Sequence, residues 1–177
     1  MKPQIALCCA ILMALAPITS PAADAPLPTV ESVDLSRYAG AWYEIALLPN
    51  RFQKQCVADT QANYRPAGDR VEVINRCRVA SGEVDQAKGY AKTIEGSQNA
   101  RLKVTFFWPF YGDYWVLDLD PEYRHVLIGT PSRKFAWVLS RTPQMDEATL
   151  NRLLERAQAL GFKREDFQRT PQTRPLD

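Results

Sequence analysis

A chain of 177 residues is long enough for one domain with a substantial core. Its 22 Lys+Arg against 20 Asp+Glu leave a net charge of +2, which does not supply the basic surplus of a nucleic-acid binder. The content of 46% hydrophobic and 24% charged residues excludes the disordered and fibrous classes, and a single histidine, His125, leaves little from which to build a metal site or a catalytic triad.

The first element is a targeting signal. Lys2 precedes an uninterrupted apolar run from Ile5 to Ala16, and Ser20-Pro21-Ala22 places small residues at a cleavage site. The run is shorter than the ~20 apolar residues that span a bilayer, so a retained anchor is the weaker reading. Residues 1–22 are read as a removed signal peptide. Cys8 and Cys9 lie inside it, and Leu7 before Cys8 does not suit a lipidated N-terminal cysteine. Export to an oxidising compartment makes Cys56 and Cys77 the candidate disulfide, two cysteines allowing one intramolecular pairing.

Residues 23–32 read as an extended leader rich in Pro and Ala. Asp34 caps a single turn ending near Tyr38, and Gly40 closes it. Strand-like runs follow at Trp42–Leu47, Cys56–Tyr64, Arg70–Val79, Lys88–Ile94, Arg101–Phe107, Tyr114–Leu119, Arg124–Gly129 and Lys134–Ser140, separated by turn residues such as Pro66-Ala67-Gly68-Asp69. Eight short sequential strands predict an all-β barrel or sandwich. One helix follows over about 146–160, with Leu150, Leu153, Leu154, Ala157 and Leu160 on one stripe, Asp146 as cap and Gly161 as stop. The barrel with its helix is expected over 33–171, and 172–177 as a disordered tail.

Several strands are apolar on both faces; Phe135-Ala136-Trp137-Val138-Leu139 is the clearest. A simple sandwich leaves one face of each strand wet. A closed antiparallel barrel explains the pattern better: the inner face lines a lumen and the helix covers part of the outside. Eight strands enclose side chains or one small ligand.

Gly40-Ala41-Trp42, extended to Gly-Ala-Trp-Tyr-Glu-Ile, resembles the opening motif of the lipocalins, in particular bacterial lipocalins and apolipoprotein D. Gln61-Ala62-Asn63-Tyr64, Val73-Ile74-Asn75, Asp113-Tyr114-Trp115-Val116-Leu117 and Ala136-Trp137-Val138-Leu139-Ser140-Arg141-Thr142-Pro143 extend the resemblance over about 33–172. It implies an eight-stranded up-and-down barrel, closed at one end, where Arg141 packs across the ring of Trp42. Those two residues and Gly40 are structural in this reading.

The resemblance also implies that Tyr64, Asn75 and Trp137 face one pocket. Alternation along the strands then brings in Thr60, Ala62, Val71, Val73, Cys77, Phe135 and Leu139, with Leu102, Val104 and Phe106 as a third apolar wall and Glu44 as a further polar group. Cys56 shares parity with Tyr64. Placing it opposite Cys77 sets Tyr64 opposite Asp69, with Arg65 to Gly68 as the loop.

The function this implies is non-enzymatic: binding, transport or storage of a small hydrophobic ligand, a fatty acid or lysophospholipid, with no cofactor, metal or nucleic acid. The expected location is the periplasm, in soluble form, with attachment to the outer membrane as the alternative. Two other functions stay open at this point: a lipocalin-fold enzyme using a thiol of Cys56 or Cys77, and a structural or stress protein with a filled barrel. Phe107, Trp108, Phe110 and Tyr111 form a second aromatic group near a Pro-Gly turn. A rim of the mouth, a peripheral membrane contact and a homodimer seam are three readings of it that the sequence leaves side by side.

Overall fold

The computed structural model describes residues 26–174 and 176. The signal segment, with Cys8, Cys9 and the cleavage site after Ala22, lies outside them. Asp34 opens the first short helix, α1 (Leu35–Tyr38), its carboxylate accepting from the backbone N–H of Ser36 at 2.8 Å and of Arg37 at 3.3 Å. The strands are β1 (Gly40–Leu47), β2 (Cys56–Ala67), β3 (Arg70–Val79), β4 (Val84–Thr93), β5 (Arg101–Phe107), β6 (Phe110–Leu119), β7 (His125–Gly129) and β8 (Ala136–Ser140). They pair in sequential antiparallel order, β8 pairs with β1, and β1 pairs with β2, which closes the barrel. A two-residue strand, β9 (Gln168–Arg169), adds to the outer part of β1.

The α2 helix (Glu147–Ala159) packs outside the barrel. Asp146 caps it through the Thr149 N–H at 2.8 Å and the Thr149 hydroxyl at 2.7 Å, and Gly161, at φ +87°, takes the left-handed conformation that ends it. Leu150, Leu153 and Ala157 bury against Ile45, Ala46, Leu127 and Val138, an outer core distinct from the one inside the barrel. This is why the β8 run is apolar on both faces: Val138 meets the helix side and Trp137 and Leu139 meet the lumen side.

The β2–β3 hairpin differs from the sequence expectation. β2 continues through Pro66 to Ala67, and Gly68-Asp69 make a two-residue turn, with Gly68 at φ +68°. Tyr64 therefore pairs with Val73, not with Asp69. Two register shifts lie between Cys56 and Gln61, where Asp59 takes φ +56°, so Cys56 pairs with Val79. The two bulges each add one residue to β2, so Cys56 returns to the inner face. The Cys56–Cys77 disulfide forms diagonally, with Cα atoms 5.5 Å apart.

Beyond Tyr43, paired with Gln61, β1 and β2 separate, and the C-terminal segment fills the seam. The Thr170 N–H donates to Ile45 O at 3.0 Å and the Asp59 N–H to Pro171 O at 2.8 Å. The Gln172 amide reaches Glu44 O at 2.8 Å and Thr60 O at 2.9 Å, one bond to each strand. Asp59 accepts from the Thr173 and Arg174 N–H groups and pairs with Arg78 at 2.7 Å. The free tail expected from Gln172 is thus held as far as Arg174, because the separated strands have backbone groups that need partners.

Candidate ligand cavity

The closed end combines one sequence-local contact with long-range ones. Trp42 is fully buried, its indole N–H donates to Tyr38 O at 2.9 Å, and Arg141 lies over its ring at 4.0 Å. The same guanidinium donates to Ala41 O at 2.9 Å, Arg37 O at 2.6 Å and Tyr123 O at 3.2 Å, so it ties β1, α1 and the β6–β7 turn into one plug. Gly40, at φ +92°, sits where an added Cβ would lie 3.5 Å from that guanidinium.

Tyr38 stacks on Trp42 at 4.9 Å and forms the floor of the space above. Its hydroxyl meets that of Tyr114 at 2.7 Å, and Tyr114 donates to Tyr64 at 2.9 Å. Tyr114 spends its one hydrogen on Tyr64, so Tyr38 donates to Tyr114, and the Tyr64 hydrogen is left for another acceptor. Burial raises the pKa of all three phenols, that of Tyr64 to about 12, so they stay neutral donors at physiological pH.

Above this floor a cavity of about 900 Å³ opens toward the loops 48–55, 80–83, 108–109 and 130–135. Tyr64, Asn75, Trp137, Val73, Phe106, Leu139 and Glu44 all line it. So do Thr60, Ala62, Val71, Leu102, Val104, Phe135 and both cysteines. The inner parity of β2 survives its altered register because the bulges lie below Gln61, outside the Ala62–Tyr64 stretch. Gly89 gives Phe106 its place: a Cβ there would come within 2.8 Å of the Phe106 ring and 2.3 Å of Thr105 O.

Polar groups in the lining are few and placed. The Trp137 indole N–H donates to Gln53 Oε1 at 2.9 Å, and the Gln53 amide donates to Glu44 Oε2 at 2.9 Å. Glu44 Oε1 accepts from the Thr170 hydroxyl at 2.5 Å. Glu44 is only 4% exposed, and burial raises its pKa above 4.5 although its two donors pull the other way. The Asn75 Oδ1 has no donor among the described residues. Tyr38, Tyr114, Gln53, Thr170 and the mouth residue Arg51 are among the members of the site that sequence reasoning did not assign to it.

Neither cysteine of the cavity is a free thiol. Cys56 and Cys77 are bonded to each other, which removes the thiol on which an enzyme reading depended. Among the described residues no group of three or more His, Cys, Asp or Glu is placed to hold a metal ion. What the cavity can do is enclose an apolar body and meet it with neutral donors at the floor and polar groups near the mouth.

Comparison with known proteins agrees with this geometry. Residues 33–172 match the family described as Lipocalin-like domain. The chain is 41% identical to temperature-induced lipocalin-1 of Arabidopsis thaliana over 157 residues, covering 83% of each chain. It is 38% identical to the outer membrane lipoprotein Blc of Escherichia coli K12 over 146 residues, covering 81% of this chain and 82% of that one. Among solved structures, insecticyanin from the tobacco hornworm superposes with a TM-score of 0.68 at 23% identity, covering 82% of this chain and 84% of that one, a likeness of fold.

Proposed function

The chain belongs to the lipocalin family, whose members bind small hydrophobic ligands, and from that premise we propose that it carries single-chain lipids, fatty acids or lysophospholipids, in the bacterial cell envelope. The observation that supports this most is the open cavity of about 900 Å³, walled by Val71, Val73, Leu102, Val104, Phe106 and Leu139. A long acyl chain needs no reaction to be held there. Burial contributes about 0.8 kcal/mol per methylene, or about 11 kcal/mol for ~14 methylenes. After an ordering cost of about 4 kcal/mol, the low end of the usual range, the dissociation constant falls near the micromolar range.

The charge at the entrance supports a head with a carboxylate or phosphate. Arg51 and Gln53 line the mouth, whereas the floor offers neutral phenols. The acyl chain then runs toward Tyr64 and the head stays near the loops. The envelope location rests on the signal segment at 1–22 and on the similarity to an outer membrane lipoprotein.

Native mass spectrometry of the protein purified from its host tests the reading. Adducts with masses of fatty acids or lysophospholipids, displaced by added palmitate, are the expected result. A bare protein mass that also fails to take up palmitate would mean a barrel whose space serves no lipid, and the proposal would fall.

A further inference from the structure

Three loop aromatics of the mouth have no ring or cation partner among the described residues. Phe107, Trp108 and Phe110 are 79%, 81% and 76% exposed, at the tip where Phe107 pairs with Phe110 around Trp108-Pro109. Phe52, on the β1–β2 loop, is also exposed and packs at a tilt against Phe135, with ring centroids 5.5 Å apart. Phe107, Phe110 and Tyr111 belong to this tip and to the cavity lining at once, so the exposed apolar surface runs without a break into the lumen. Trp108 lies outside the lining and is the outermost member.

Cations lie on two of the loops at the same end. Arg51 and Lys54 lie on the β1–β2 loop and Lys134 on the β7–β8 loop beside Phe135, all exposed, and none has an acidic partner among the described residues. Arg51 sits over the Phe52 ring at 5.1 Å. Glu83 ends the 80–83 loop and Asp85 lies at the start of β4, where it accepts from the Gln55 amide at 3.0 Å. Exposed aromatic rings and exposed cations on the loops of one end suit a bilayer interface: rings seat at headgroup level and cations meet lipid phosphates. A second copy of the chain docked face to face on the same tip would set the like cations of the two mouths near one another, which is unfavourable.

We propose that the open end docks, mouth down, on an anionic phospholipid leaflet through Trp108, Phe107, Phe110 and Phe52, with Arg51, Lys54 and Lys134 on the lipid phosphates. This rests on the lipid-carrier reading for its purpose, since a docked mouth lets an acyl chain move between leaflet and lumen without crossing water.

Co-sedimentation with phosphatidylglycerol/phosphatidylethanolamine vesicles, with phosphatidylcholine vesicles as comparison, tests it alongside a fluorescent fatty-acid titration and sedimentation velocity. The protein should partition to the anionic vesicles and release as salt is raised. Trp108→Ser should weaken partition to both vesicle types about tenfold. Lys54→Glu with Lys134→Glu should weaken it about tenfold on anionic vesicles only. None of these three residues lines the cavity, so fatty-acid affinity should stay unchanged in both variants. Absence of partition to anionic vesicles, or partition indifferent to both variants, overturns docking while leaving the cavity reading intact. A vesicle-blind dimer that Trp108→Ser turns into a monomer assigns the face to a second copy and also overturns it. Vesicle partition with the expected sensitivity, in a protein that binds no fatty acid, upholds docking and removes the carrier reading instead.

Discussion

The two ends of the barrel use the same side chains for opposite purposes. At the closed end Trp42 is fully buried, hydrogen-bonded to Tyr38 and covered by Arg141, which itself holds three backbone carbonyls. Near the open end Trp137 is only partly buried, with its indole N–H on the side chain of Gln53 in the β1–β2 loop and one face on the cavity. The first ring is surrounded by protein, so nothing can replace its contacts. The second has part of its surface left for something that is not protein. The difference shows that burial of an aromatic does not distinguish core from site; what distinguishes them is whether the remaining faces are filled by the chain itself.

The sharpest way to break this contrast is to remove each ring in turn. Trp42→Ala should cost about 3–5 kcal/mol of folding stability, because the plug leaves a cavity and Arg141 loses its stacking surface. Urea unfolding followed by circular dichroism measures it. A loss below about 1 kcal/mol would mean that the closed end relaxes around the gap and that Trp42 is not the keystone described.

Trp137→Ala should instead weaken fatty-acid binding by about 1–3 kcal/mol, from lost apolar contact, with the barrel still folded. Titration with a fluorescent fatty acid reads the affinity, and the urea midpoint reads the fold. An unchanged affinity in a folded variant would place the ligand elsewhere in the cavity. A stability loss as large as that of Trp42→Ala would erase the distinction between the two ends.

This contrast was partly legible in the sequence. Strand alternation carried the lumen assignment for Tyr64, Val73, Asn75 and Trp137, because one inward residue fixes the others on a regular strand. The register of the β2–β3 hairpin was not legible: the bulges around Asp59 are announced by no residue pattern, and the Pro66-Ala67-Gly68-Asp69 signal marks a turn without fixing whether two residues or four make it. Tyr114 becomes legible only with the β5–β6 register, which pairs it with the inward Leu102, since paired residues share a face. Gln53, Thr170 and Gln172 had none. They lie in irregular segments, and their roles arise only where the separation of β1 and β2 creates backbone groups to satisfy. The rim aromatics were visible as a group, but their exposure, which decides between core and surface, is a property of the folded mouth.

The smallest expected effect is a pH dependence that separates the two ends chemically. The floor phenols stay neutral throughout the physiological range, whereas Glu44, which links the mouth loop through Gln53 to the C-terminal segment through Thr170, titrates. Burial raises its pKa in the folded chain above its value of 4.5 in the unfolded one, so between those two values the folded state holds more protons. Stability therefore falls as pH rises: the contribution of the neutral acid is complete below 4.5 and is lost as pH climbs through the folded pKa. Other groups act with the opposite sign. Asp59, held low by the Arg78 guanidinium and the Thr173 and Arg174 amides against the opposing effect of desolvation, stabilises above 3.8 and loses that contribution in acid. His125, lowered by burial, stabilises above 6.5. The difference between the protein and its Glu44→Gln variant cancels both. Glutamine keeps the shape, stays neutral, and can accept from Gln53 with its oxygen while its amide donates to the Thr170 hydroxyl. Urea unfolding from pH 4 to pH 8 should show the variant gaining on the protein as pH rises above 4.5, the two curves converging in acid. Parallel curves, or a variant that loses ground as pH rises, would mean that Glu44 is ionised without penalty and that the polar bridge beneath Trp137 carries no charge-dependent strain.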